Sequence, residues 1–122
     1  MFTEKFLEVL KQEGVVSIVT CANNEAHVVN TWNSYLEIVD DSKLLIPAAM
    51  IKTETNINEN PHVKLTLGSK EVMGYKFMGT GFLIEGTGKF LKEGDLYDKM
   101  FKKYPFLTRV LEVTVESCKQ KL

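Results

Sequence analysis

The segment H-V-V-N-T-W-N-S-Y-L, residues 27–36, decides how the rest of the chain is interpreted. Its two ends are apolar, as in a β-strand, but residues 30–34 place amide and hydroxyl groups on both faces around Trp32, the only tryptophan. On an exposed edge strand such residues are ordinary, and Trp32 would then simply belong to the core. On a buried strand the polar groups need partners. Donors beside an indole suit a flat heteroaromatic ligand with polar edges.

Outward from this segment, β-branched and apolar runs alternate with turn residues and predict about six strands. Strands at this even spacing, mostly joined by tight turns, predict a mainly β fold, a small antiparallel barrel with two or three short helices. Pro47 is expected to end the third strand, because proline cannot donate to a ladder. The predicted strands cover residues 14–21, 26–39, 43–47, 62–68, 80–91 and 110–117, and the predicted helices residues 3–13, 50–61 and 95–103.

The size and charge of the chain narrow the classes of function. A chain of 122 residues fits one domain, residues 1–122, whose core competes with any large pocket. The net charge of -1, without a basic block, argues against a nucleic-acid surface or a membrane surface. No apolar run is long enough to span a membrane, and charges interrupt the apolar N-terminal stretch, so a cytoplasmic location is expected. Cys21 and Cys118 are expected to be reduced thiols.

Two further features point to an anionic, flat ligand. Lys52 and Thr53 lie at the start of a predicted helix, where free N–H groups and the helix dipole favour a phosphate. The glycines of Gly79-Thr80-Gly81 allow the backbone to approach a ligand closely, although a plain turn explains them equally well. A phosphate at one end and a flat ring system at the other together describe flavin mononucleotide (FMN).

The order of strands and motifs resembles the flavin-binding split-barrel proteins related to pyridoxamine 5'-phosphate oxidase, and the match is closest to the small FMN-binding members. The segments N-T-W-N-S-Y and G-T-G-F-L-I are specific to the resemblance, whereas the Lys-Thr pair alone is not. The matching segments span nearly the whole chain and cover residues 8–16, 27–36, 52–54, 63–69 and 79–86.

The resemblance implies a six-stranded split barrel that forms a homodimer, with one noncovalent FMN per subunit near the interface. It also suggests which residues bind the cofactor. Asn30, Thr31 and Trp32 would line the isoalloxazine and ribityl groups, Lys52 and Thr53 would hold the phosphate, and Pro47, Ala48 and Ala49 would form the adjacent wall. Thr80 and Gly81 would lie near the polar edge of the ring. Phe106 and Leu122 would come from the partner subunit.

The chain departs from the family pattern at two of these places. Phe106 stands where the most similar family members have a tryptophan, so the stacking face is smaller and lacks an N–H donor. In those members the segment that corresponds to Pro47–Met50 is Gly-rich and one residue longer. The residues of this chain therefore favour close approach of the backbone to the cofactor less than glycines would. The apolar residues of the last strand and of the helix over residues 95–103 are the expected dimer interface.

The sequence contains no nucleophile beside a base, no carboxylate pair and no cluster with metal-ligand spacing, so we assign no catalytic residue and no metal. The interpretation is therefore a flavoprotein in electron transfer, whose redox partner is an unidentified protein or a reduced nicotinamide. The alternatives are a flavin reductase or an oxidase of the pyridoxamine-phosphate type, a non-catalytic flavin-binding or storage module, a deazaflavin-binding relative, and a barrel for single-stranded nucleic acid. The C-terminal segment lacks the Arg and His expected of the true oxidases, and the charge disfavours nucleic acid.

Overall fold

The computed structural model describes residues 1–122 and contains seven strands, three α-helices and one 3-10 turn. The strands are β1 (Val15–Ala22), β2 (Glu25–Trp32), β3 (Glu37–Asp40), β4 (Lys43–Ala48), β5 (His62–Met73), β6 (Met78–Leu91) and β7 (Arg109–Gln120). The helices are α1 (Glu4–Leu10), α2 (Ile51–Glu59) and α3 (Asp95–Lys103), and the 3-10 turn covers Asn33–Tyr35. None of the helices combines the length and the apolar character needed to cross a bilayer.

All seven strands form one antiparallel sheet in the order β2-β1-β5-β6-β7-β4-β3. The edge strands β2 and β3 do not pair with each other, so the barrel is not closed. Yet only residues 33–36 link the end of β2 to the start of β3, a distance of at most about 18 Å. The two edges therefore approach each other at this corner, and the predicted mainly β split barrel is confirmed.

The strand count differs from the expected six, because the predicted single strand over residues 26–39 is wrong. The chain leaves the sheet at Asn33, whose N–H donates to the Gly14 carbonyl at 2.9 Å. Its side-chain Nδ2 lies 3.3, 3.0 and 3.2 Å from the carbonyl oxygens of Val9, Gln12 and Gly68. This fully buried amide fixes a turn where the apolar pattern alone predicts a continuous strand.

The barrel interior is a core of 17 buried residues, into which α1 inserts Phe6 and Val9 and α2 inserts Ile57. A second, smaller cluster lies on the outer side of β4 and β7, beneath α3. Both faces of β7 are thus covered, and Val110 to Val113 are all buried. The apolar residues of β7 are thus largely covered within one subunit, and the predicted dimer interface stays a prediction.

The three predicted helices are confirmed, whereas β5 and β7 continue to Met73 and Gln120, beyond their predicted ends at residues 68 and 117. α3 covers the predicted residues 95–103, and Thr3 caps α1. β4 continues through Pro47 to Ala48, so Pro47 does not end the strand. It lies beyond the residues of β4 that pair with β3, where the strand has a free edge that tolerates proline.

Candidate functional site

The end of β2 carries the residues that open the sequence argument. Trp32 is 46% exposed, so the alternative interpretation, in which it belongs to the core, is wrong. Thr31 is buried, while Asn30 is exposed and its Oδ1 accepts from the Ser17 hydroxyl at 3.1 Å. Since β2 is an edge strand, its polar side chains need no ligand to satisfy them. What remains for a ligand here is the uncovered indole face of Trp32.

The start of α2 leaves polar groups without partners. Met50 occupies the N-cap position and provides no side-chain hydrogen bond, so no side chain caps the free N–H groups of the first turn. Thr53 is fully buried, and its Oγ1 has no hydrogen-bond partner. Lys52 is exposed at the same turn. The predicted position of Lys52 and Thr53 at a helix start is confirmed, and this end of α2 has the donors that a phosphate accepts from.

A charged cluster that sequence reasoning missed adjoins this helix start. Arg109, the only arginine in the chain, pairs through Nη1 with Glu54 of α2. Lys92 contacts the other carboxylate oxygen of Glu54 at 3.0 Å. The Nε atom of Arg109 is buried and has no partner. No local pattern indicates this pairing, because 55 residues separate Glu54 from Arg109.

The predicted wall, Pro47 to Ala49, lies at the same end of the barrel. Ala48 pairs with Arg109 across the β4–β7 ladder, and its carbonyl oxygen accepts from the Thr108 N–H at 3.0 Å. Pro47 and Ala48 are buried and Ala49 is exposed between β4 and α2. The structure therefore brings the wall, the start of α2 and Arg109 together.

Thr80 and Leu122 also lie together, within one subunit. The buried Thr80 hydroxyl donates to the Leu122 carbonyl at 3.1 Å and accepts from Gln120 Nε2 at 3.1 Å. Gly81 pairs with Gly68, where an added Cβ would lie 2.6 Å from the Thr80 carbonyl oxygen. The glycine at 68 thus serves the close contact between β5 and β6 rather than contact with a ligand.

A cleft of about 650 Å³ opens beside Thr80 and Leu122 and was not foreseen from the sequence. The β5–β6 hairpin forms one side of it and presents Tyr75 and Phe77, which are 71% and 77% exposed. Gly79, with φ of +108°, adopts a backbone conformation that favours glycine. The cleft is lined by Ser69, Lys70, Tyr75, Lys76, Phe77, Met78, Gly79, Thr80, Lys121 and Leu122. Its volume lies within the range of small-molecule sites, about 300–1,000 Å³.

Phe106 lies in an aromatic cluster at the β2–β3 corner, together with Tyr35 of the 3-10 turn. Its ring centroid is 5.5 Å from Tyr35 and 6.0 Å from Tyr104, and the side chain is 56% exposed. The Tyr104 hydroxyl lies 2.8 Å from the Glu37 carboxylate, which also pairs with Lys103 at 2.9 Å. Burial, followed by the hydrogen bond to Glu37, raises the pKa of Tyr104 to about 12, so this hydroxyl stays protonated at neutral pH.

The predicted site residues thus fall into neighbouring groups rather than one pocket. Asn33 joins two of them, because it follows Trp32 directly and donates to Gly68, the residue paired with Gly81. Trp32 and the start of α2 do not line the cleft. Asn33 was not predicted as a site residue, although it belongs to the polar run that marked this corner.

Comparison with known proteins places this geometry in a family. Residues 2–122 match the model of the family described as pyridoxamine 5'-phosphate oxidase. Over 123 residues, spanning the whole of both proteins, the chain is 41% identical to a protein named FMN-binding protein from Nitratidesulfovibrio vulgaris.

Two solved structures resemble the fold at much lower sequence identity. HupZ from Group A Streptococcus superposes with a TM-score of 0.81 at 16% identity, covering 98% of this chain and 94% of that one. An FMN-binding protein from Syntrophomonas wolfei gives a TM-score of 0.71 at 16% identity, covering 88% of this chain and 76% of that one. At this identity the likeness concerns the fold alone.

Proposed function

The chain belongs to the pyridoxamine 5'-phosphate oxidase family, and we propose that it binds one FMN per subunit noncovalently and acts in electron transfer. The full-length relative that shares 41% of its residues is named for FMN binding. The observation that carries the proposal is the start of α2, where a fully buried threonine hydroxyl lacks any partner and no side chain caps the helix.

The unpartnered groups at this helix start fit the phosphate of FMN. A buried hydroxyl without a partner is unfavourable in the free protein, and a phosphate oxygen would accept its proton. Lys52 and the uncapped N–H groups of α2 would neutralise part of the negative charge. Pro47, Ala48 and Ala49 bound the same space, so they would limit where the ribityl chain leaves the phosphate.

The exposed aromatic surface fits the ring system. Trp32 offers an uncovered indole face, against which a flat heteroaromatic ring would pack. Asn30 and Thr31 precede Trp32 on β2. Thr80 and Gly81 lie on β6, where Gly81 pairs with Gly68, the residue whose carbonyl oxygen accepts from Asn33. The cleft beside Thr80 would leave one edge of the ring accessible to a redox partner.

When bound, FMN supplies the one- and two-electron chemistry itself. The residues of the chain then bind and orient the cofactor and exclude water from one ring face. The C-terminal segment lacks the Arg and His expected of the true oxidases, which favours an electron carrier over an oxidase. The partner that donates or accepts the electrons is an unidentified redox protein or a reduced nicotinamide.

The same reasoning extends to a homodimer with a shared site. Trp32, Phe106 and Leu122 are large apolar side chains that are 46%, 56% and 66% exposed. A second subunit would cover these side chains and enclose the ring. Light scattering of the FMN-loaded protein should therefore give twice the chain mass of 13.9 kDa. A monomer that holds FMN tightly would contradict the shared site.

The flavin proposal is tested by colour and by titration. The purified protein should be yellow, and protein stripped of cofactor should quench the fluorescence of added FMN with a stoichiometry of one per chain. Trp32→Phe should retain binding and Trp32→Ala should weaken it, while the stability of the free protein changes little because the indole is half exposed. A colourless protein that takes up no FMN would refute the proposal.

Anaerobic mixing with NADH or NADPH separates a carrier from a reductase. We expect no bleaching of the bound FMN within seconds, but ready reduction by dithionite. Rapid bleaching by either nicotinamide would make the protein a flavin reductase and would overturn the carrier assignment.

A further inference from the structure

The positive and negative charges of the side chains near the start of α2 are not equal in number. Lys52 belongs to the first turn, and Arg109 and Lys92 both pair with Glu54. Two cations pair with Glu54 and a third, Lys52, lies in the same turn, so three positive charges and one negative charge lie near the positive end of a helix dipole. A phosphate monoester carries about -1.5 to -2 charges at neutral pH, so it matches this excess.

One buried nitrogen of Arg109 has no hydrogen-bond partner. Its Nη1 donates to Glu54 Oε1, and its side chain is only 19% exposed. The Nε–H is buried and has no acceptor in the free protein. A guanidinium offers five N–H donors in a fixed plane, so engaging Nη1 with Glu54 determines where Nε points.

The position of Arg109 in the sheet brings it to the same end of the barrel as the predicted phosphate site. It pairs with Ala48, the wall residue that leads into α2. Its partner Glu54 directly follows Thr53, whose buried hydroxyl is the other donor without an acceptor. Two buried donors without partners therefore belong to residues connected to Glu54: Thr53 precedes it in the chain, and Arg109 pairs with its carboxylate.

From these contacts we propose that Arg109 binds the phosphate monoester of the cofactor through Nε and makes the site selective for a phosphorylated flavin over an unphosphorylated one. The inference rests on the proposed function, because it assumes that the ligand is FMN. Glu54 is a positioning residue in this arrangement, since it orients the guanidinium without touching the ligand. Lys92 also pairs with the Glu54 carboxylate and so reduces the repulsion between that carboxylate and the phosphate.

The test compares the affinities for FMN and riboflavin, which differ only by the phosphate. Cofactor-free protein is titrated with each flavin by fluorescence quenching. Arg109→Met should weaken FMN binding about 10- to 100-fold, as for loss of a charge-assisted hydrogen bond, and leave riboflavin binding within about twofold. Lys64→Met, which breaks the surface pair of Lys64 and Glu85 on the β5–β6 ladder, is the matched control and should change neither affinity.

A purely structural Arg109 would give different results. If Arg109→Met weakens both flavins equally, or neither, the assignment is overturned. If Arg109→Met does not fold, Arg109→Lys replaces it, because lysine keeps the charge beside Glu54 but lacks the planar set of guanidinium donors. Arg109→Lys should still lower the ratio of FMN affinity to riboflavin affinity about three- to tenfold. An unchanged preference in Arg109→Lys overturns the proposal in that case. Failure of the wild-type protein to bind any flavin would instead refute the proposed function.

Discussion

Two helices of the barrel begin beside a threonine, and the two threonine hydroxyls are used differently. Thr3 precedes α1, and its Oγ1 accepts from the Phe6 N–H at 3.2 Å. Thr53 lies in the first turn of α2, is fully buried, and has no partner for its Oγ1. The N-cap of α2 is Met50, which provides no hydrogen bond. The start of α1 is therefore closed by its own chain, whereas the start of α2 keeps its donors free.

The charges near the helix starts differ in the same way. Acidic side chains near an N-terminus offset the helix dipole. α1 has Glu4 there, and α3 has Asp95 and Asp98. The first turn of α2 instead contains Lys52, and the only acidic residue of that turn, Glu54, pairs with two cations. The comparison shows that a buried polar group without a partner is a more specific indication of a ligand than the residue type at that position.

The largest expected effect that tests this comparison is that of Lys52→Ala. Loss of an ammonium beside the phosphate should weaken FMN binding by about 1–3 kcal/mol, as measured by fluorescence titration. The stability of the cofactor-free protein should stay level or rise by a few tenths of a kcal/mol, because a cation leaves the positive end of a helix. Lys99→Ala on the exposed side of α3 is the control. Unchanged FMN affinity would put the phosphate elsewhere.

Thr53→Val should separate binding from stability at the same turn. Valine keeps the shape of threonine and removes a buried hydroxyl without a partner, so urea unfolding of the cofactor-free protein should show a gain of about 1 kcal/mol. FMN affinity should fall by about 1–2 kcal/mol, since the phosphate loses a donor. Thr53→Ser keeps the hydroxyl and should retain most of the affinity. A loss of stability in Thr53→Val would mean that the hydroxyl is satisfied within the chain.

The helix starts could be predicted from the sequence because their signals are local. The spacing of apolar residues gave α3 to the residue, and Thr3 and Lys52-Thr53 both mark helix starts by residue type. What residue type does not reveal is whether a hydroxyl at such a position is satisfied. That depends on neighbours contributed by other elements, so the difference between Thr3 and Thr53 exists only in the folded chain.

The remaining parts of the site depend on contacts between residues far apart in the chain. Arg109 meets Glu54 across 55 residues, and Asn33 reaches Gly68 across 35, so no motif contains either pair. Trp32 was open to a core interpretation because the local pattern of β2 does not say whether the strand is central or an edge. The break between β2 and β3 was missed for a related reason, since it is made by a single buried amide rather than by glycine or proline.

A smaller effect, restricted to stability, is expected for Thr3→Ala. Removal of the N-cap hydroxyl should lower the free energy of unfolding by about 1 kcal/mol, measured by urea denaturation. FMN affinity should be unchanged, because the Thr3 hydroxyl already accepts from the Phe6 N–H within the chain. Thr3→Ser should restore the stability. If FMN affinity falls together with stability, the start of α1 contributes to cofactor binding, and the contrast between the two helices is lost.

The smallest effect is expected at Glu13, three residues after the end of α1. Its carboxylate accepts from the Ser34 hydroxyl at 2.8 Å and from the Ser34 and Gly14 N–H groups, and the bond from the Ser34 hydroxyl is the main cause of its lowered pKa. A pKa that is lower in the folded state means that the ionised form stabilises the fold above pH 4.5, the ordinary value. That contribution disappears as the pH falls through the folded-state pKa.

Glu13→Gln should therefore lower the urea midpoint slightly at pH 7 and match the wild type in acid. Glu8→Gln on the exposed side of α1 should match it at both pH values, and a difference for Glu13→Gln that grows in acid would show that this carboxylate does not anchor the corner after β2.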